Sequence, residues 1–258
     1  MRALFTVFIM VILSGLAWGQ IRTDSIEYKH GDVVLKGFLA YDGLLKSKRP
    51  GVLVIHEWWG HNQYVRERAR QLAELGYVAF ALDMYGKGVK AKTMDEASAL
   101  AGKFYQDRQL MRDRAAAGLE ILKQQKNVDT SRLAAIGYCF GGTTALELAR
   151  SGADLRCVVS FHGGLKTPNI EDARNIKGTV LVLHGADDSY VPPEEVAAFQ
   201  DEMFKANVDW YTVSFGDAVH SFTNPAAGMD KSKGAAYNYK ADQRSWTVMR
   251  ELFLELLK

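Results

Sequence analysis

The chain has 258 residues, 48% of them apolar and 24% charged, with 32 basic and 30 acidic residues giving a formal net charge of +2. That length and composition describe an ordinary globular protein with a substantial core, and exclude a disordered or collagen-like chain. The near balance of charge, without a long basic run, offers nothing for nucleic acid to bind.

In chain order, the first nineteen residues stand apart. Arg2 is followed by an apolar stretch over 3–13, and the small residues Ala17 and Gly19 then sit at a cleavage-site spacing. A membrane span needs about 20 apolar residues, so the pattern reads as a secretory signal over 1–19, cleaved after Gly19 or nearby, with an uncleaved anchor as the competing reading. Removal would leave 31 basic and 30 acidic residues, since Arg2 is the only charge lost. The mature chain, 20–258, is expected to be one exported domain, periplasmic or secreted, with no stable membrane anchor.

Strand and helix patterns then alternate, which predicts an α/β fold with a mainly parallel sheet and helices on both faces. Residues 25–41 alternate apolar and polar around a His-Gly-Asp turn, as a hairpin does. "GVLVIHE" (51–57) is a continuous apolar run suited to a strand buried on both faces. An amphipathic helix over 65–76, a strand over 77–83 and a helical stretch over 94–126, broken near Gly102, follow. Further strands are predicted at 155–161, 178–185 and 208–215, and helices at 194–206 and 239–257.

Between these lies "AAIGYCFGGTTALELAR" (134–150), a strand, a glycine-flanked corner and a helix. Cys139 stands on the corner in the pattern G-x-C-x-G-G, a nucleophile elbow with sulfur in place of hydroxyl. Gly137 and Gly141 let strand and helix come close, and the helix N-terminus favours an anion beside the thiol. The plain alternative is a glycine-rich turn holding a packed cysteine. Downstream, Asp188 follows an apolar strand in "VLVLHGADDSYVPPEE" and His220 follows the next one in "YTVSFGDAVHSFTNP". Nucleophile, acid and histidine in that order, each after a strand, are what an α/β-hydrolase requires. A capping aspartate and an ordinary loop histidine are the bland readings of the same residues.

The other cysteine, Cys157, lies in an apolar run and reads as a packed free thiol rather than a disulfide or redox partner. His56, Glu57 and His61 invite a metal reading. However, H-E-x-x-H needs its second histidine at position 60, which is glycine, so no metal and no cofactor are expected. In this fold the loop after that strand supplies an oxyanion-hole amide, which makes the backbone N–H groups of Trp58 and Phe140 the candidates.

Together "HEWWG" (56–60), "LDMYG" (82–86), "GYCFGG" (137–142), "GADDSYVP" (185–192) and "HSF" (220–222) resemble the dienelactone hydrolase family, over nearly all of 25–257. The resemblance implies an α/β-hydrolase fold and a carboxymethylenebutenolidase-like hydrolase of small esters or lactones. It also implies a Cys139-His220-Asp188 triad working through an acyl thioester. Glu57 matches the glutamate that contacts the cysteine, so it is expected to be desolvated with a raised pKa. Trp59, Tyr85, Phe222 and Asn224 are candidates for the substrate pocket. The sequence departs from the family where an arginine should follow "HSF": Thr223 and Asn224 stand there instead. The stretch 94–114 should add another arginine and a tyrosine, and offers Arg108, Arg112, Arg114 and Tyr105 in no fixed register. Without a charged clamp, a carboxylate-bearing lactone is placed in doubt. A non-catalytic binding protein on the same fold is the alternative from a different class.

Overall fold

The computed structural model describes residues 20–44 and 46–258; the signal assignment to 1–19 lies outside them. The described residues form an eight-stranded sheet in the order β1-β2-β4-β3-β5-β6-β7-β8. The hairpin of β1 (Ile21–His30) and β2 (Val33–Asp42) turns at Gly31, whose φ of 57° suits a residue without Cβ. β2 pairs antiparallel with β4 (Val78–Ala81). From there β3 (Arg49–Ile55), β5 (Val128–Tyr138), β6 (Cys157–Phe161), β7 (Thr179–Gly185) and β8 (Trp210–Phe215) all run parallel. The fold expected from the sequence is therefore present.

Each central strand is apolar on both faces because each face is covered by helices. Val52 and Val54 of β3 pack on one side with Val65, Ala69 and Leu72 of α1 (Gln63–Glu74) and with Met249 and Phe253 of α6 (Tyr239–Leu256). Leu53 and Ile55 point to the other side, into the core shared with α2 (Met94–Gln106), α3 (Arg108–Lys123), α4 (Phe140–Arg150) and α5 (Pro193–Lys205).

Two boundaries differ from expectation for local polar reasons. The helical stretch breaks at Asp107 rather than near Gly102. Asp107 ends α2 with its N–H on the Lys103 carbonyl, and its side chain accepts the Leu110 N–H to begin α3. β4 stops before Asp83, whose carboxylate accepts the N–H groups of Lys36, Tyr85 and Gly86 and so forms a turn.

The winding direction reverses at β3, which has β4 on one side and β5 on the other. Sites in open parallel sheets gather at the carboxyl ends of strands beside such a reversal. The loops after β3, β5, β7 and β8 carry Glu57, Cys139, Asp188 and His220 respectively.

Candidate active site

The corner between β5 and α4 is as tight as its glycines suggest. A Cβ at Gly137 would lie 1.9 Å from the Gly141 carbonyl oxygen, and one at Gly141 would lie 2.3 Å from that of Ile55. Cys139 takes φ 53° and ψ −117°, a strained conformation for a residue with a side chain. The bend leaves its thiol half-buried at the start of α4. Cys157 is instead wholly buried within β6, where burial alone pushes its thiol far up in pKa. Both thiols are free.

Asp188 and His220 converge on this corner. The Asp188 carboxylate, 3% exposed, accepts a 2.8 Å hydrogen bond from His220 Nδ1 and a 2.9 Å bond from the Tyr190 N–H. Burial opposes a charge on His220, yet its pKa is raised well above the usual imidazole range. The neighbouring Cys139 sulfur is the main cause, followed by the Asp188 hydrogen bond. With Nδ1 committed to Asp188, Nε2 is the nitrogen free to serve the sulfur. The imidazole is thus held by the carboxylate on one side and neighbours the thiol.

Glu57 sits beneath them, 2% exposed. Desolvation raises its pKa, against the opposing influence of Asn224, His220, Ser221 and Arg68. Asn224 Nδ2 donates to Oε2 at 2.5 Å and Ser221 Oγ to Oε1 at 3.4 Å. Its hydrogen-bond partners are therefore on the histidine loop rather than at the thiol. Asn224 occupies the place where an arginine was expected and acts there as a neutral clamp on Glu57. The Trp58 and Phe140 amides donate no backbone hydrogen bond among the described residues; Trp58 lines the cavity, whereas Phe140 is fully buried behind it.

His56 is no metal ligand in this arrangement. Its Nε2 accepts the Met84 N–H, so its Nδ1 carries the proton and donates to the Glu57 carbonyl. His61 is tied to the Ala81 carbonyl and to Arg66. Among the described residues no cluster of His, Cys, Asp and Glu could hold a metal ion.

A cavity of about 810 Å³ opens over the thiol, with Cys139 and His220 in its wall. Of the pocket candidates, Trp58, Trp59 and Asn224 line it. Tyr85 does not. Its ring packs between His56 and Phe104 while its hydroxyl donates to the Trp58 carbonyl, so it supports the wall from behind. Phe222 does not either; it is fully buried against His162 and Phe215, because the chain after His220 turns its apolar side chain into the core. Tyr105 is the tyrosine that α2 supplies to the cavity. No arginine of that region joins it. Arg108 stacks on Tyr105 and reaches the Lys166 carbonyl, Arg112 pairs with Glu147 and Asp172, and Arg114 binds the Met84 carbonyl and His30.

Sequence reasoning missed Tyr190, Ser221, Thr223 and His162. Tyr190 sets its ring 5.2 Å from that of His220. Ser221 and His162 have positive φ angles, 56° and 41°, around the same site. Arg68 Nε donates to the Tyr64 hydroxyl, which shares a 2.6 Å hydrogen bond with Thr223 Oγ1. Thr223 Oγ1 in turn shares a 2.7 Å hydrogen bond with His162 Nε2. Arg68 also holds the Thr223 carbonyl and a buried ion pair with Asp242.

The pattern that defines the dienelactone hydrolase family matches residues 36–257. The chain belongs to this family. It is similar to the solved structure named m3DLH, with 45% identity, a TM-score of 0.89, and coverage of 93% of this chain and 100% of that one. It is also similar to a dienelactone hydrolase-like promiscuous phosphotriesterase from metagenomic libraries, at 44% identity and TM-score 0.88, over 92% and 99% of the two chains. Protein usf of Aquifex pyrophilus is 28% identical over 237 residues, 90% of this chain and 98% of its own. Membership in a hydrolase family of this kind makes a small molecule the substrate.

Proposed function

We propose that the protein is an exported ester or lactone hydrolase with Cys139 as nucleophile. His220 Nε2 takes the thiol proton, oriented through Nδ1 by Asp188. The thiolate adds to the substrate carbonyl, and the oxyanion is received by the Trp58 and Phe140 amides. Collapse expels the alcohol, which leaves with the proton from His220, and forms a thioester on Cys139. Water, deprotonated by His220, then releases the acid and restores the thiol.

The observation that carries this reading is the His220 imidazole shared between Asp188 and a thiol on a strained elbow. The direct proton route through His220 is favoured over one through Glu57, whose oxygens are engaged by Asn224 and Ser221. Export rests on the leader pattern of residues 1–19, and N-terminal sequencing of protein recovered outside the cytoplasm would test it.

p-Nitrophenyl acetate turnover by wild type, Cys139→Ala and Cys139→Ser tests the chemistry. The alanine variant should lose about 10³-fold or more in kcat, and an acyl adduct should appear on Cys139 in the wild type by mass spectrometry. Full activity in Cys139→Ala would overturn the proposal, while no turnover and no selective alkylation of Cys139 would favour a binding protein instead. One relative favours a second reaction at the same thiolate. The 44% identical promiscuous phosphotriesterase warrants an aryl phosphotriester in the same assay.

A further inference from the structure

We propose that the substrate is an ester with a bulky aromatic or apolar body, neutral or anionic at its far end, rather than a compact carboxylated lactone or a cationic ester. This deepens the reading of the Cys139 site as an ester hydrolase and rests on it.

Size comes first. A cavity of about 810 Å³ falls in the range that encloses drug-sized ligands. A single-ring lactone would leave most of it filled with water, and so would gain little from its walls.

The walls are aromatic. Trp58 and Trp59, with ring centroids 5.4 Å apart and edge-to-face, line the cavity together with Tyr105. Tyr190, its ring beside that of His220, lines it as well. Large apolar groups remain open to solvent here: Tyr105 is 42% exposed, Tyr190 56% and Met94 60%. Exposed apolar groups that share the wall of one cavity suit a ligand that covers them. Several flat rings in that wall suit a flat apolar body.

Charge narrows the class. Among the described residues no acidic side chain lines the cavity, while Lys90 and Lys233 do, and both are exposed. An aromatic box alone would attract a quaternary ammonium group; Lys90, with no carboxylate in ion-pair range among the described residues, opposes it, while Lys233 is partly offset by Asp230 at 3.6 Å. The lysines lie at the solvent side, so they meet the distal end of a long substrate. Apart from His220, which the reaction itself uses, the polar side chains of the histidine loop in the wall, Asn224 and Ser221, are neutral, and Arg108, Arg112 and Arg114 of α3 are engaged elsewhere. A carboxylate close to the reacting carbonyl therefore finds no arginine or lysine to clamp it.

The test compares p-nitrophenyl esters of acetate, 3-phenylpropanoate, and its ring-carboxylated and ring-trimethylammonio derivatives. The phenylpropanoyl and carboxylated esters should exceed acetate in kcat/KM by about tenfold or more, the gain expected from burying a ring. The trimethylammonio ester should fall about tenfold below the neutral one. Trp59→Ala should shrink the phenylpropanoyl-to-acetyl ratio about tenfold. Equal kcat/KM across the series, or a cationic ester matching the neutral one, would overturn the proposal. Binding to Cys139→Ala separates this failure from a failure of the catalytic reading. Quenching of tryptophan fluorescence should show 3-phenylpropanamide binding at least about tenfold more tightly than acetamide, whether or not wild type turns over any ester. Equal binding of the two amides would overturn the substrate class by itself.

Discussion

Glu57 shows how a single residue is held against its own preference. Its carboxyl is almost completely removed from water, with an amide and a hydroxyl as hydrogen-bond partners and no cation in contact. Because its pKa is raised on folding, the native state binds more protons than the unfolded state as pH rises above the ordinary carboxyl range. Stability therefore falls through that window. Glu57→Gln removes the titration, so its Tm should exceed that of wild type at neutral and alkaline pH, and the advantage should vanish below the ordinary carboxyl pKa. Thermal melts across pH check this. The Glu57→Gln variant should retain far more kcat than His220→Ala, since the proton path runs through the imidazole. The placement of Cys139, Asp188 and His220 after β5, β7 and β8 was legible because the grammar of a strand end is local. Tyr190 was not, because its approach to His220 depends on how two separate loops meet. Phe222 and Tyr85 lie beside motif residues, but sequence adjacency does not fix which side of the chain faces the cavity.

At the scale of elements, the loop after β8 carries both His220 and the two residues that hold Glu57. Its anchor is a run of hydrogen bonds from Arg68 through Tyr64 and Thr223 to His162. Thr223→Val preserves shape and deletes the hydroxyl that joins two of these contacts. The expected result is a kcat lower by about tenfold with little change in KM, and recovery in Thr223→Ser; steady-state kinetics with one ester would show it. The elbow is less forgiving. Gly137→Ala places a methyl group on a backbone oxygen and should prevent accumulation of folded protein, which soluble expression and circular dichroism would reveal. The helix break shows what one sequence can hide. Gly102 looks like the weak point, yet it has open space around it inside α2, while Asp107 caps two helices at once. Capping by a side chain on its own backbone is a matter of geometry that periodicity does not reveal.

For the molecule as a whole, the sheet order places four loops at one edge, and buried charge ties the helices behind them together. Arg150 is fully buried on α4, with a two-pronged contact to Glu202 of α5 and a bond to Glu147, which in turn pairs with Arg112 of α3. The helix that begins at Cys139 is thus joined to the one that follows Asp188. Arg150→Met would strand the Glu202 carboxylate and remove one of the two cations on Glu147, and should lower unfolding free energy by about 3–5 kcal/mol in urea titration. The alternation of strands and helices made the fold readable, since burial on both faces leaves continuous apolar runs. The ionic lattice was not readable, because charged residues at helical spacing look the same whether they face water or each other.

The contrast between the two sulfurs has a practical consequence. A disulfide reagent added to native protein should count one reactive group per molecule, and that count equals the fraction of competent sites in any preparation. The second group becomes visible only when β6 leaves the sheet. Pulsed modification along a denaturant gradient would therefore follow global opening with a reporter the chain already contains.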